Sequence, residues 1–256
     1  MTTPYFVFES PEAASRKVAS EIATLIRERS AQGRSAVLGL ATGNTPLPLY
    51  RELIRLHREE GLSFRNVISF NLDEYIGLER DHPESYWSFM HHNLFNHVDI
   101  HPENIHLPSG TVAADEISDH CAAYDAAIQQ AGGVDCQILG IGRTGHIGFN
   151  EPGTPATART LLVHLDEITR QDAAPAFGGI ENVPTTAITM GCGTILEARK
   201  IALLAWGAKK AGIVCEAIQG PVSEQVSASF LQNHPNAAFF LDQEAASEMN
   251  MDTNNN

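Results

Sequence analysis

Three side chains carry the chemistry of this sequence: Asp73, His146 and Glu151. Asp73 stands in FNLDEYIGL (70–78), where the apolar run VISFNL (67–72) gives way to Asp73 and Glu74. A carboxylate at the end of a strand lies on the ligand side of an α/β sheet. Partial burial there raises its pKa and suits it to take a proton from carbon. The same acidic pair also reads as a solvated turn. His146 and Glu151 stand in GIGRTGHIGFNEPG (140–153), five residues apart across a turn rich in glycine and proline. A carboxylate on one ring nitrogen fixes the imidazole tautomer and leaves the other nitrogen for proton transfer.

The first six letters of that stretch match the dinucleotide fingerprint G-x-G-x-x-G. The fingerprint works only when a helix opens on its last glycine and offers free N–H groups to a pyrophosphate. Here Gly145 is followed by Gly148, Pro152 and Gly153, poor material for a helix start. The glycines are therefore expected to shape a sharp turn that presents His146, and no nucleotide or other cofactor is expected.

Phosphate-binding chemistry resides elsewhere. ATGNTPLPLY (41–50) follows an apolar strand, with Thr42, Gly43, Asn44 and Thr45 ahead of a helix. Threonine hydroxyls and free helix N–H groups suit a phosphate, with Thr45 expected as the cap and Pro46 near the first helical position. Arg170 in DEITRQD and Lys210 in WGAKKAG stand near loop-to-helix junctions, where they can supply positive charge. HHNLFNHVDIHPENIH (91–106) holds five of the eleven histidines but no H-E-x-x-H and no cysteine at ligand spacing, so no metal is expected.

These residues need a scaffold, and the chain alternates strand-like and helix-like segments throughout. Strands are expected at 5–9, 36–41, 67–72, 137–142, 201–207 and 237–241. Helices are expected after Ser10, from about Pro46 to His57, and around 210–218. Several strands are continuously apolar, as when helices cover both faces of a parallel sheet. The expected fold is a doubly wound, mostly parallel α/β sheet in one domain over 1–247. Residues 248–256 are expected to form a frayed tail, the polar composition beginning at 243. AAPAFGG (173–179), rich in small residues, is a candidate lid loop.

The 256 residues carry a formal net charge of −14, which argues against nucleic acid or an acidic membrane surface as the main partner. The opening MTTPYFVFES has neither the basic region nor the apolar run of a secretory signal. Four well-separated cysteines without a C-x-x-C pair fit reduced thiols and a cytoplasmic setting.

LGLATGNTP, FNLDEYIGL with HPESYWSFMHHNLF, and GIGRTGHIGFNEPG, in this order, resemble the glucosamine-6-phosphate deaminases. So do ART (158–160), VPTTAITMG (183–191) and FFLDQEAAS (239–247). The related 6-phosphogluconolactonases share the GxGxxGH turn but not the FNE continuation. The resemblance spans residues 5 to 247 and implies a Rossmann-like sugar-phosphate isomerase/deaminase fold with no redox cofactor. It also implies conversion of glucosamine 6-phosphate and water to fructose 6-phosphate and ammonia. His146 would open the sugar ring, Glu151 would orient it, and Asp73 would move the C2 proton to C1. Thr42, Gly43, Asn44, Thr45, Arg170 and Lys210 would hold the phosphate.

Two residues depart from the family pattern: Thr144, where Asp or Asn is usual beside the histidine, and Asn44, where glycine is common. Thr144 is expected to alter ring opening or its pH dependence, because a hydroxyl cannot carry an aspartate's charge. Leu161 and Val163 occupy positions that are basic in allosteric hexamers, which favours the short, non-allosteric bacterial branch and a monomer over a homo-oligomer. Galactosamine 6-phosphate, a sugar lactone and a non-enzymatic sensing role are the competing readings.

Overall fold

The apolar runs become the strands of a parallel sheet. The structure, a computed structural model, describes residues 3–249. Seven strands, β1 (Tyr5–Phe8), β2 (Ala36–Leu40), β3 (Val67–Asn71), β5 (Ile105–His106), β6 (Cys136–Leu139), β9 (Ile201–Ala205) and β10 (Ala237–Asp242), pair in the order β1-β10-β9-β6-β2-β3-β5. Every pairing among them is parallel. Alternation along β2 shows why its run is apolar throughout. Leu38 and Leu40 enter a core with α1 (Pro11–Ala31), α2 (Leu47–Glu60) and α3 (Tyr86–Asn93). Val37 enters the opposite core with α4 (Ile117–Gln130), α6 (Cys192–Leu196) and α7 (Ala211–Gln219).

Local signals set the helix ends. Ser10 caps α1, its Oγ accepting from the Ala13 N–H at 3.2 Å, with Pro11 in the first turn. At α2 the expectation of a Thr45 cap is not met: the helix begins at Leu47 after Pro46 and has no side-chain cap. The candidate lid loop at 173–179 is largely helical. Residues 173–177 close α5 (Glu167–Phe177), and Gly178 ends it at φ 71°. Thr169 is the single buried residue of α5, so that helix lies over the molecule rather than within it. The closing stretch packs down further than its polar composition suggests, with Ala245 and Met249 buried in the second core. Residues 250–256 of the expected tail lie outside the described residues.

A second, antiparallel sheet was not anticipated. It contains β4 (Asp73–Tyr75), β7 (Leu161–His164) and β8 (Thr186–Thr189), in the order β4-β8-β7. Its strands are three or four residues long, too short to show a period of their own. Asp125 on α4 anchors the start of β7. It accepts from the Thr160 N–H at 3.2 Å, Thr160 Oγ1 at 2.7 Å, Thr194 Oγ1 at 2.9 Å and Arg159 Nε at 3.3 Å. Replacing it leaves several buried donors without an acceptor. Asp125→Ala is expected to cost about 2–4 kcal/mol of stability, measured by urea unfolding. A cost within about 0.5 kcal/mol would show that the small sheet does not depend on this carboxylate.

Candidate active site

Doubly wound sheets bind ligands at the carboxyl ends of their strands, where neighbouring loops diverge. The loops after β2 and β6, adjacent strands in the sheet, leave a cavity of about 190 Å³. Ala41, Thr42 and Thr45 form one wall and Gly140, Ile141, Gly142 and His146 another. Asp73, Tyr86, Gly148 and Phe149 close it. Asp73 and His146 thus face one space, together with the threonines of the expected phosphate loop.

The glycines of GIGRTG are explained here, and no helix begins at the last of them. The chain turns back on itself, with the Gly142 N–H bonded to His146 O at 2.9 Å and the Gly145 N–H to Gly142 O at 3.1 Å. The His146 ring lies directly over Gly142, in the space a Cβ would occupy. Gly145 has φ +80°, and a side chain there would run into Val226 and Ile213. Beyond the turn, Asn150 Nδ2 donates to Ile147 O and Met190 O, both at 2.8 Å. Thr189 Oγ1 accepts the Phe149 N–H at 3.1 Å.

His146 Nδ1 lies 2.9 Å from Thr144 Oγ1 and 3.3 Å from Glu151 Oε2. Glu151 is an acceptor only, so it favours the tautomer with the proton on Nδ1 and leaves Nε2 as the proton-accepting atom. Glu151 is held in turn by Thr169 Oγ1, which donates to Oε1 at 2.6 Å, and by the Asp166 N–H at 3.3 Å. Burial works against its charge, but the contacts with His146, Thr169 and Asp166 outweigh it and hold the pKa below the usual value.

The local pattern left Asp73 and Glu74 as one acidic pair, from which only the resemblance picked Asp73, and the structure separates them. Successive residues of β4 point to opposite sides. Glu74 accepts three backbone N–H groups, from Tyr75 at 2.9 Å, Tyr86 at 3.0 Å and Trp87 at 3.0 Å, which clamps it to the start of α3. Asp73, only 5% exposed, faces the cavity. Desolvation, and then the charge of Glu74, push its pKa well above that of an ordinary aspartate.

The expected phosphate ligands are only partly assembled. Gly43, at φ +86°, and Asn44 belong to the turn before α2 without lining the cavity. Lys210 Nζ donates to Ile141 O at 2.8 Å on the cavity wall, and burial lowers its pKa. Arg170 is turned aside, donating to Ile180 O at 2.8 Å and Val183 O at 3.2 Å, and its Nε is buried without a partner. Thr169, Asn150 and Tyr86 were not singled out from sequence. Only HPESYWSFM, quoted for its resemblance, pointed toward Tyr86. Among the described residues no group of three or more His, Cys, Asp or Glu is placed to hold a metal ion, and no helix is long and apolar enough to cross a membrane.

Residues 9–240 match the family of glucosamine-6-phosphate isomerases/6-phosphogluconolactonase. The chain belongs to this family. Within the family, a glucosamine-6-phosphate deaminase from Thermoanaerobacter pseudethanolicus is 47% identical over 92% of this chain and 91% of its own length. A longer deaminase-like protein of Bacteroides thetaiotaomicron is 47% identical over 95% of this chain, which spans 37% of that protein. The solved structure of a monomeric glucosamine-6-phosphate deaminase superposes with a TM-score of 0.91 at 44% identity, over 96% of this chain and 99% of that one. A 6-phosphogluconolactonase from Trypanosoma brucei has a TM-score of 0.78 at 21% identity, over 98% of this chain and 100% of that one, a likeness of fold alone.

The buried carboxyl of this family member leaves a mark on its stability. A carboxyl whose pKa is higher folded than unfolded favours the folded state at acid pH. It disfavours that state once pH rises through the folded-state value. At pH 7.5 Asp73 therefore opposes folding, and Asp73→Asn is expected to raise the unfolding midpoint by about 2–4 °C for each kcal/mol relieved. The gain should vanish below the unfolded carboxyl value of about 4. A midpoint below the parent's at pH 7.5 would show that partners, not desolvation, govern this group.

Proposed function

We propose that this chain deaminates and isomerises glucosamine 6-phosphate, with water, to fructose 6-phosphate and ammonia. The observation that carries the reading is the shared cavity. A desolvated carboxylate (Asp73) and an oriented imidazole (His146) face one space that opens onto the threonines before α2. That set supports proton transfers on the carbon skeleton of a phosphorylated sugar. The 47%-identical deaminase and the 44%-identical monomeric deaminase support the same substrate.

His146, through Nε2, moves a proton to the ring oxygen as the pyranose opens to the aldehyde. Asp73 takes the proton from C2, the electron pair moves toward C1, and O1 gains a proton while the C2 amine nitrogen gives one up, so that the carbonyl becomes an alcohol. The same carboxyl returns the proton to C1. C2 is left as an imine, which water hydrolyses to the ketone with release of ammonia. C1 gains the two electrons that C2 loses, so the conversion itself balances without an external oxidant or reductant. Glu151 keeps His146 in the required tautomer, and Thr144 shares the Nδ1 side of the ring. Thr42, Gly43, Asn44 and Thr45 take the phosphate with Lys210. Arg170 joins them by releasing the carbonyls it now holds.

Two substrate classes compete. A lactonase has no use for a carbon base, so Asp73→Asn would leave it active; the buried Asp73 favours the deaminase. Galactosamine 6-phosphate differs at C4 and is separated by assay. Purified protein is expected to release ammonia from glucosamine 6-phosphate, and faster than from the galacto epimer. Asp73→Asn should lower the rate about 10²–10⁴-fold. Activity should fall on the acid side with a midpoint above about 4, because Asp73 must ionise from its raised pKa. Thr144→Asp should shift that pH profile while keeping turnover. Absence of ammonia from either sugar would refute the reading.

The assembly that fits is a monomer, as in the 44%-identical relative. Sedimentation velocity should give one species near the chain mass of 27.8 kDa. A stable species at a multiple of that mass would overturn this.

A further inference from the structure

Tyr86 lines the cavity with Asp73 and His146, although neither the acid–base steps nor the phosphate loop uses it. Its backbone N–H is pinned by Glu74 Oε1 at 3.0 Å, so the residue after the carbon base fixes where this side chain starts. Its ring is set by neighbours on both sides. It lies 4.9 Å from Tyr75 and 6.1 Å from Phe149 between centroids, the latter stacked at 15°. The phenol donates to Tyr75 Oη at a long 3.3 Å and comes within hydrogen-bonding reach of Thr42. Of the aromatic cluster Tyr75, Tyr86, Phe149 and Phe177, only Tyr86 and Phe149 reach the cavity, and only Tyr86 brings a hydrogen-bonding group to it.

We propose that Tyr86 is a substrate-contacting residue, its phenol donating a hydrogen bond to a sugar hydroxyl between C2 and the phosphate-bearing C6. Thr42 lies at the phosphate end of the site and Asp73 at the C2 end, and the Tyr86 phenol is near both. A hexose phosphate held at its two ends carries its middle hydroxyls past this group. Burial, followed by the negative charges that Tyr75 and Asp73 would add, keeps the phenol protonated and able to donate. The weak, long contact to Tyr75 is readily exchanged for a shorter one to substrate. Tyr86 acts as neither acid nor base in this assignment. It supplies binding and alignment of the chain that Asp73 works on.

The inference rests on the proposed sugar-phosphate site, and the test separates the two. Calorimetry on the full chain compares binding of an unreactive open-chain hexitol 6-phosphate with binding of inorganic phosphate. Tyr86→Phe, which keeps the ring packing, should weaken the hexitol phosphate about tenfold and leave phosphate affinity and the unfolding midpoint unchanged. Tyr75→Phe removes the long-contact partner but leaves the donor, and should alter hexitol phosphate binding by less than about threefold. Equal losses for hexitol phosphate and phosphate would show that Tyr86 only supports Thr42. Equal losses in the two variants would show that the tyrosine pair acts through packing. Unchanged hexitol phosphate binding in Tyr86→Phe would also overturn the assignment. Failure to release ammonia from any amino-sugar phosphate, with hexitol phosphate still discriminated by Tyr86, would refute the proposed reaction and leave this contact standing.

Discussion

The site depends on the backbone of one residue, Leu72, where two sheets meet. Its N–H bonds to Leu40 O at 3.0 Å, extending the parallel pairing of β3 with β2. Its carbonyl accepts the Met190 N–H at 2.7 Å, just beyond β8, at the edge of the antiparallel sheet. Leu72 is therefore bonded to one sheet through its donor and to the other through its acceptor. The next residue is Asp73. Its position relative to the loop after β2 follows from the first bond, and its position relative to Thr189 and the Gly148 turn from the second. A chain that simply ran out of β3 into a loop would leave that carboxylate free to turn into water.

This rigid entry permits the burial of Asp73. Desolvation of a carboxylate opposes folding. Three N–H groups offset part of it for Glu74, whose pKa burial still raises, whereas among the described residues no donor is bonded to the Asp73 side chain. The adjacent pair thus divides the work. Glu74 is satisfied locally and locks α3 to β4, while Asp73 is held beside it under strain of charge. The raised pKa follows from this burial, because water that would stabilise the carboxylate is kept away.

What was legible in the sequence tracked the length and apolarity of each element. β2 and β9 are buried throughout, so their residues form continuous apolar runs bounded by turns. β3 and β10 follow largely the same pattern, interrupted by Ser69 and Asn71 and closed by Asp242. Ser10 and Pro11 gave the start of α1 its own signature. The antiparallel sheet escaped because β4, β7 and β8 are short and carry polar residues that face the site or the surface. Local pattern alone did not separate Asp73 from Glu74, and only the family resemblance singled out Asp73, because their difference is one of facing, set by Leu72 and by an α3 N-terminus twelve residues downstream. Arg170 was placed correctly near a helix start, but its direction depends on the carbonyls of 180 and 183, which no local pattern announces. Thr45 was expected to cap α2, and its hydroxyl instead lines the cavity wall, leaving the helix start uncapped by any side chain.

The loop carrying His146 shows how little of a glycine pattern is specific to one ligand. In a dinucleotide fold the last glycine admits a helix close to a strand; here Gly142 admits an imidazole ring, and Gly145 admits a backbone angle and close neighbours. Both uses require the absence of a Cβ, and only the residues C-terminal to the glycines distinguish them. In this chain those residues return a carboxylate, Glu151, to the ring they have just placed. Thr144 lies on the same side, nearer Nδ1 than Glu151 is. A hydroxyl there can accept from Nδ1–H without adding charge, so the negative charge beside the ring comes from Glu151 alone. The tautomer that leaves Nε2 free therefore rests on Glu151 and on the groups that fix it. That ties the orientation of the imidazole to Thr169 on the sparsely buried helix α5, whose hydroxyl holds the Glu151 carboxylate in place.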